Sequence, residues 1–94
     1  MPIIRWAPDK EEKLRAEETR GGVTFADCVV AIEEGRVLDD LPHPVRSNQR
    51  LLVLLIETYA YVVPYVPEPD GGLFLKTVFP SRKHTAIYLR RQPT

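Results

Sequence analysis

Apolar residues along this chain follow a helical spacing up to about residue 33, fall into strand-like runs between residues 36 and 79, and return to a helical spacing only after Pro80. In the first part, Phe25, Cys28, Val29 and Ile32 fall at i, i+3, i+4 and i+7, one face of a helix that supplies core. Thr24-Phe25-Ala26-Asp27 opens that helix as a capping box with Asp in place of the longer acid, and Gly35 is a ready left-handed stop. Ahead of it, Pro8 suits a first helical position. Asp9 to Glu18 is rich in helix formers, with acids in its first turn, and Gly21-Gly22 ends it. This first helix has little apolar surface beyond Leu14 and Ala16, so it is expected to pack weakly and stay exposed. Ile3-Ile4-Arg5-Trp6 reads as a short edge strand or a tucked arm anchored by Trp6.

The alternating part holds four expected strands. Arg36 to Leu41 is short and ends at Pro42, and Pro42 to Asn48 is a loop with two prolines and no apolar period. Leu51 to Ile56 is apolar on both faces, the pattern of a central strand covered on each side. Glu57-Thr58 connects it to a strand in which Tyr59, Tyr61, Val63 and Tyr65 share one face. Pro64 cannot donate to a ladder, so an edge or a bulge is expected there. Pro67 to Gly72 is a hairpin turn, and Leu73 to Phe79 is the last strand before a terminal helix. The order predicts one α+β domain over residues 1–94: an antiparallel sheet of about four strands, with two N-terminal helices and a C-terminal helix packed mainly on one face.

Composition narrows the classes. A chain of 94 residues supports one modest core, so a homo-oligomer or a stabilising partner fits its size. The lone Cys28 excludes an intramolecular disulfide, and His43 and His84 stand far apart without nearby acidic ligands, so neither a metal nor a cofactor is expected. The N-terminus lacks a signal-peptide pattern, and the longest apolar run has only a strand's length. A cytoplasmic location away from the membrane is therefore expected. Net charge is formally zero, but residues 1 to 45 carry six Lys/Arg against ten Asp/Glu (−4), and residues 46 to 94 carry seven against three (+4).

The basic half concentrates chemistry at one junction. Pro80-Ser81 turns a strand into a helix, with Ser81 as cap, and brings Lys76, Arg82, Lys83, His84 and Tyr88 around the turn. Free amides at a helix start attract anions, and three cations with an imidazole point to a phosphate, hence to nucleic acid or a nucleotide.

Trp6 with Lys10, then Gly22-Val23-Thr24-Phe25-Ala26-Asp27 opening a helix, then Pro80-Ser81-Arg82-Lys83 before Thr85-Ala86 and Tyr88, resembles the BrnT-like toxins, grouped with the RelE-type ribonuclease toxins of bacterial type II toxin–antitoxin modules. The matching positions are Trp6, Lys10, Gly22, Phe25, Arg50, Ser81, Arg82, Lys83 and Tyr88, whereas Ala7 stands where the family has a capping Asp or Asn. The resemblance implies a cytoplasmic toxin that cleaves RNA without a metal and is held inactive by a cognate antitoxin protein.

Such cleavage uses the ribose 2′-hydroxyl as nucleophile and needs a base, a cationic cradle for the phosphorane and an acid for the 5′-oxygen. On this reading Arg82, Lys83, His84 and Arg50 are the catalytic candidates, with Lys76 or Arg50 from the sheet completing the cradle of Arg82 and Lys83. Ser81, Tyr61, Tyr65 and Tyr88 are the substrate-binding candidates. Each has a plainer reading. Arg82 and Lys83 can form a solvated face, His84 can be an exposed first-turn residue, and Lys76 can be an exposed strand lysine. Tyr61 and Tyr65 can pack under a helix, as Tyr88 can between helix and sheet. His43, between two prolines, receives no role. A non-enzymatic interaction module, or a degenerate toxin that keeps the fold without cleavage, competes with the ribonuclease. A small-anion binding domain is a third reading and lacks a Gly-rich cradle.

Overall fold

The computed structural model describes residues 3–16 and 22–89; the expected end of the first helix at Glu17, Glu18 and Gly21 lies outside the described residues. Strand β1 (Ile4–Trp6) leads into helix α1 (Pro8–Ala16), where the missing N–H of Pro8 is no loss. Helix α2 (Phe25–Glu33) starts on the expected capping box: Thr24 Oγ1 accepts from the Asp27 N–H at 3.4 Å, and Asp27 accepts from the Thr24 N–H at 2.9 Å. Beyond it, Gly35 has the expected left-handed backbone, with φ of 75°. Strands β2 (Val37–Pro42), β3 (Arg50–Ile56), β4 (Tyr59–Pro67), β5 (Leu73–Leu75) and β6 (Phe79–Pro80) precede helix α3 (Arg82–Tyr88).

The α+β class holds, with three corrections. The sheet has six strands rather than about four, in the order β1-β5-β4-β3-β2 with β6 beside β4. Its β1–β5 pair is parallel, because the N-terminal arm returns to the sheet across the Leu73–Leu75 edge instead of staying free. The expected Leu73 to Phe79 strand is split: β5 pairs with Tyr65 to Pro67 of β4, and β6 pairs with Tyr61 and Val62. Pro64 explains the break. In a strand the N–H and C=O of one residue point the same way, and the Pro64 carbonyl accepts from the Lys76 N–H at 2.8 Å, so its missing N–H faces the gap between β5 and β6. The expected irregularity is therefore on the outer ladder of an otherwise central strand.

The third correction concerns the helices, which do not share one face. Alternation along β3 and β4 puts Leu52, Leu54, Ile56, Tyr61, Val63 and Tyr65 on the side of Phe25, Cys28 and Ala31 from α2 and Leu14 from α1. Val53, Ala60 and Val62 point the other way, where Tyr88 and Leu89 pack on them. Helix α3 is held there by Thr85, whose Oγ1 accepts from the Ala60 N–H at 2.9 Å and donates to the Ser81 carbonyl at 2.7 Å. Two-sided coverage is what the apolar run at residues 51–56 demanded; its consequence is that the third helix must supply the second cover. Seven helical residues span only about 10 Å, whereas a nine-residue strand such as β4 spans about 30 Å, so α3 by itself cannot cover the whole length of its face.

Helix α1 docks more firmly than its composition suggested. Leu14 is buried, and so is Glu11, whose carboxylate accepts the Phe25 N–H at 2.7 Å and the Ala26 N–H at 3.2 Å. An acid expected to serve its own first turn instead satisfies the free amides that open α2. Trp6 stacks on Phe25 at 5.7 Å between ring centres, and Arg5 pairs with Glu68 in the β4–β5 turn, which fastens β1.

Candidate functional site

The expected junction forms, but it is largely closed on itself. Ser81 caps α3 by accepting the His84 N–H at 3.1 Å, and its Oγ lies 2.7 Å from His84 Nδ1. The His84 ring stacks on Tyr88 at 6.2 Å between centres. Tyr88 donates its hydroxyl to Asp39, which, with the Asp40 N–H bond, holds the Asp39 carboxyl below its ordinary range. His84 and Ser81 are thus engaged with each other, and Tyr88 with β2. Arg82 and Lys83 are exposed and have no carboxylate partner among the described residues.

The other expected members lie elsewhere. Arg50 pairs with Tyr65 in the sheet register, five residues along β4 from the Ala60 carbonyl that binds the Ser81 N–H, or about 17 Å of strand. Its alternation is that of Leu52, on the opposite face from α3. Its Nε donates to Asp40 at 3.0 Å, beside the Tyr65 hydroxyl, which donates to the same carboxylate at 2.8 Å. Arg50 therefore does not complete a cradle with Arg82 and Lys83. Tyr61 and Tyr65 are 9% and 4% exposed beneath α1 and α2, where neither presents a ring to a base. Burial raises both phenols, and Tyr65 is pushed up to about 12, with its bond to Asp40 adding to the shift.

Lys76 belongs to a different cluster. Its N–H anchors on Pro64, about 13 Å of strand from Ala60, and its ammonium lies 5.4 Å from the Phe74 ring centre. There it lines a cleft of about 400 Å³ with Lys10 of α1, His43, Arg46 and Gln49 of the β2–β3 loop, Pro64 and Thr77. No carboxylate lines this cleft, and Lys10, Arg46 and Lys76 have no carboxylate partner among the described residues. An adjoining cleft of about 460 Å³ shares His43, Arg46 and Gln49 and extends to Arg50 and Val66. Pro64 and Val66 continue the alternation of Ala60 and Val62 on the α3 face, whereas Lys10 and Arg50 reach the clefts from elements on the opposite side. A third cleft, near Arg36, has Asp27 and Glu57 in its wall and is poorly suited to an anion.

The β2–β3 loop is shaped by His43. Its Nδ1 accepts the Val45 N–H at 3.1 Å and the Arg46 N–H at 3.0 Å, as an Asn or Asp side chain would in a loop of this kind. The His43 backbone N–H donates to the Gln49 carbonyl at 3.3 Å, and the Gln49 N–H to the Arg46 carbonyl at 3.1 Å. Sequence reading missed His43 and Arg46. The available signal was Pro42-His43-Pro44 three residues before a cation, between two strands; Lys10 entered only through the resemblance.

Among the described residues, no three His, Cys, Asp or Glu side chains gather as metal ligands, and no helix is long and apolar enough to cross a membrane. Fold and surface together define a small α+β protein with a cationic cleft at one end of its sheet. Its structure is similar to that of the Brucella abortus ribonuclease toxin BrnT, with a TM-score of 0.63 and 16% identity over 86% of this chain and 97% of that one. The chain thus has a BrnT-like fold. No protein-family model matches it, and no curated protein sequence does.

Proposed function

We propose that this protein is a metal-independent ribonuclease toxin of the RelE-type superfamily, acting as one cytoplasmic domain in a bacterial type II toxin–antitoxin module. It inhibits translation by cutting RNA and is restrained by a cognate antitoxin protein. The observation that carries this reading is the likeness to a ribonuclease toxin across almost the whole of that toxin's length. The motif set from Trp6 to Tyr88 supports it independently. The ribose 2′-oxygen attacks the adjacent phosphorus as its proton leaves, the bond to the 5′-oxygen breaks, and that oxygen takes up a proton. Arg82 and Lys83, exposed at the start of α3 and without a carboxylate partner among the described residues, contact RNA phosphates.

The test is induced expression of wild type beside Arg82→Ala/Lys83→Ala, with growth and total RNA followed in the same cultures. The expected outcome is growth arrest and RNA decay with wild type, fragments ending in 2′,3′-cyclic phosphate, and a weakened effect in the variant. Healthy growth and intact RNA with wild type would refute it.

One observation favours a second reading, a degenerate toxin or interaction module that keeps the fold without cleavage. His43 has Nδ1 occupied by backbone amides, and His84 has Nδ1 bonded to Ser81 and its ring stacked on Tyr88, so each has only Nε2 left for acid–base work. RNA binding without cleavage, together with capture of a small antitoxin partner, would select it.

A further inference from the structure

The unpaired cations of this molecule are not scattered evenly. Arg5, Arg36 and Arg50 each have a carboxylate partner, whereas Lys10, Arg46 and Lys76 have none among the described residues, and these three come from separate parts of the chain to line one cleft. Three like charges gathered without a counter-charge repel one another, and a bound anion relieves that repulsion. His43 adds a group of a different kind. With Nδ1 accepting two backbone N–H groups, the ring proton of the neutral imidazole sits on Nε2, which has no partner among the described residues. The loop thus carries an oriented, neutral N–H donor among three cations.

We infer that this cleft is a phosphodiester-binding site for single-stranded RNA, in which Lys10, Arg46 and Lys76 neutralise phosphate charge and His43 Nε2–H donates a hydrogen bond to a phosphate oxygen. His43 is a fixed donor here and not an acid–base catalyst: a base needs the Nδ1 lone pair that the loop already occupies, and proton donation from Nε2 would leave an imidazolate. Pro64 and Thr77 are uncharged parts of the wall, and α3, which begins with Arg82 and Lys83, starts beside Ala60, about 13 Å along β4 from Pro64. This inference rests on the ribonuclease reading and adds to it the place where the substrate is held.

The two kinds of contact have separate signatures. A cation that meets a phosphate releases counterions, with a slope of log K against log salt of about 0.7 per contact on a single strand. A neutral donor releases none.

The experiment measures binding of a fluorescently labelled short RNA carrying 2′-O-methyl riboses, which blocks the nucleophile, across a salt series. Lys10→Ala and Lys76→Ala should each lower affinity and flatten the slope by about 0.7. His43→Asn, whose side-chain oxygen can still accept the Val45 and Arg46 amides, should weaken binding about tenfold, as for one hydrogen bond to a charged group, with the slope unchanged. Circular dichroism and urea midpoints matching wild type would show that the fold survives in each variant. The inference is overturned if all three variants bind with wild-type affinity and slope while Arg82→Ala/Lys83→Ala abolishes binding. If wild type neither binds this probe nor cleaves unmodified RNA, the ribonuclease reading fails and takes the inference with it. If wild type binds and cleaves but the cleft variants are unaltered, only the inference fails.

Discussion

Two buried side chains have chemistry that follows from where they sit. Cys28 faces the core from α2, and burial, reinforced by the carboxylates of Asp27 and Glu11, pushes its thiol up to about 12. The reactive species is the thiolate, so a thiol-specific reagent at neutral pH should modify the folded protein about a hundredfold more slowly than the urea-unfolded chain. Equal rates would mean that α2 does not stay docked. Tyr65 keeps its proton up to about 12 in the folded state, while an unfolded tyrosine loses it near pH 10. Its contribution to stability is intact below about pH 10 and lost as the pH climbs from about 10 towards 12. Urea midpoints across that range should fall for wild type and fall less for Tyr65→Phe, with Tyr61, shifted in the same direction, supplying part of the remaining slope. Tyr65→Phe should also cost about 1 kcal/mol near neutral pH through its lost bond to Asp40. Histidine 43 is the residue hardest to interpret from its neighbours in sequence, because its role depends on which ring nitrogen the loop occupies.

At the scale of elements, the link between α1 and α2 rests on Glu11. Its carboxylate satisfies two amides at the start of α2, which intrahelical bonds cannot reach. Glu11→Ala should destabilise the protein by about 1 to 3 kcal/mol in urea unfolding, and Glu11→Gln should cost less because one acceptor remains. An unchanged midpoint in Glu11→Ala would show that α1 contributes nothing through this bond. Local signals placed most elements: Pro8 and the Thr24 box opened helices, Gly35 closed one, and Ser81 capped the last. They were weaker where an element depends on a distant partner. Strand β1 was legible only as an arm or an edge, since its pairing is with Leu73 to Leu75, far along the chain. Gly72, just before β5, is packed so closely that a Cβ would come within 2.8 Å of the Ile3 carbonyl, a constraint that exists only once β1 has docked.

At the scale of the whole molecule, the sheet separates two environments. One face is covered by α1 and α2 over most of the core, while the other carries the short helix α3. The basic second half of the sequence borders the cationic cleft through Arg46 and Lys76, and Lys10 reaches the same cleft from an otherwise acidic first half. A neutral total charge is therefore compatible with a locally cationic surface, which is why growth and RNA integrity on expression, rather than isoelectric point, decide the ribonuclease reading. The expected cradle of Arg82, Lys83 and Arg50 failed for the same architectural reason: strand alternation sends Arg50 to the side of α1 and α2, into a pair with Asp40.

Sequence alone determined whatever depends on neighbours within a few residues: the helix caps, the two-faced central strand, the shared face of Tyr59, Tyr61, Val63 and Tyr65, and the interruption at Pro64. These are set by backbone sterics and by a side-chain period of 3.6 or 2. Tertiary structure alone decided which face each helix covers, that β1 runs parallel to β5, and that Lys10, His43, Arg46 and Lys76 meet. Those outcomes depend on how elements dozens of residues apart bury their apolar surface together, and no local pattern encodes that a lysine on the first helix and another beyond the fifth strand line one cleft.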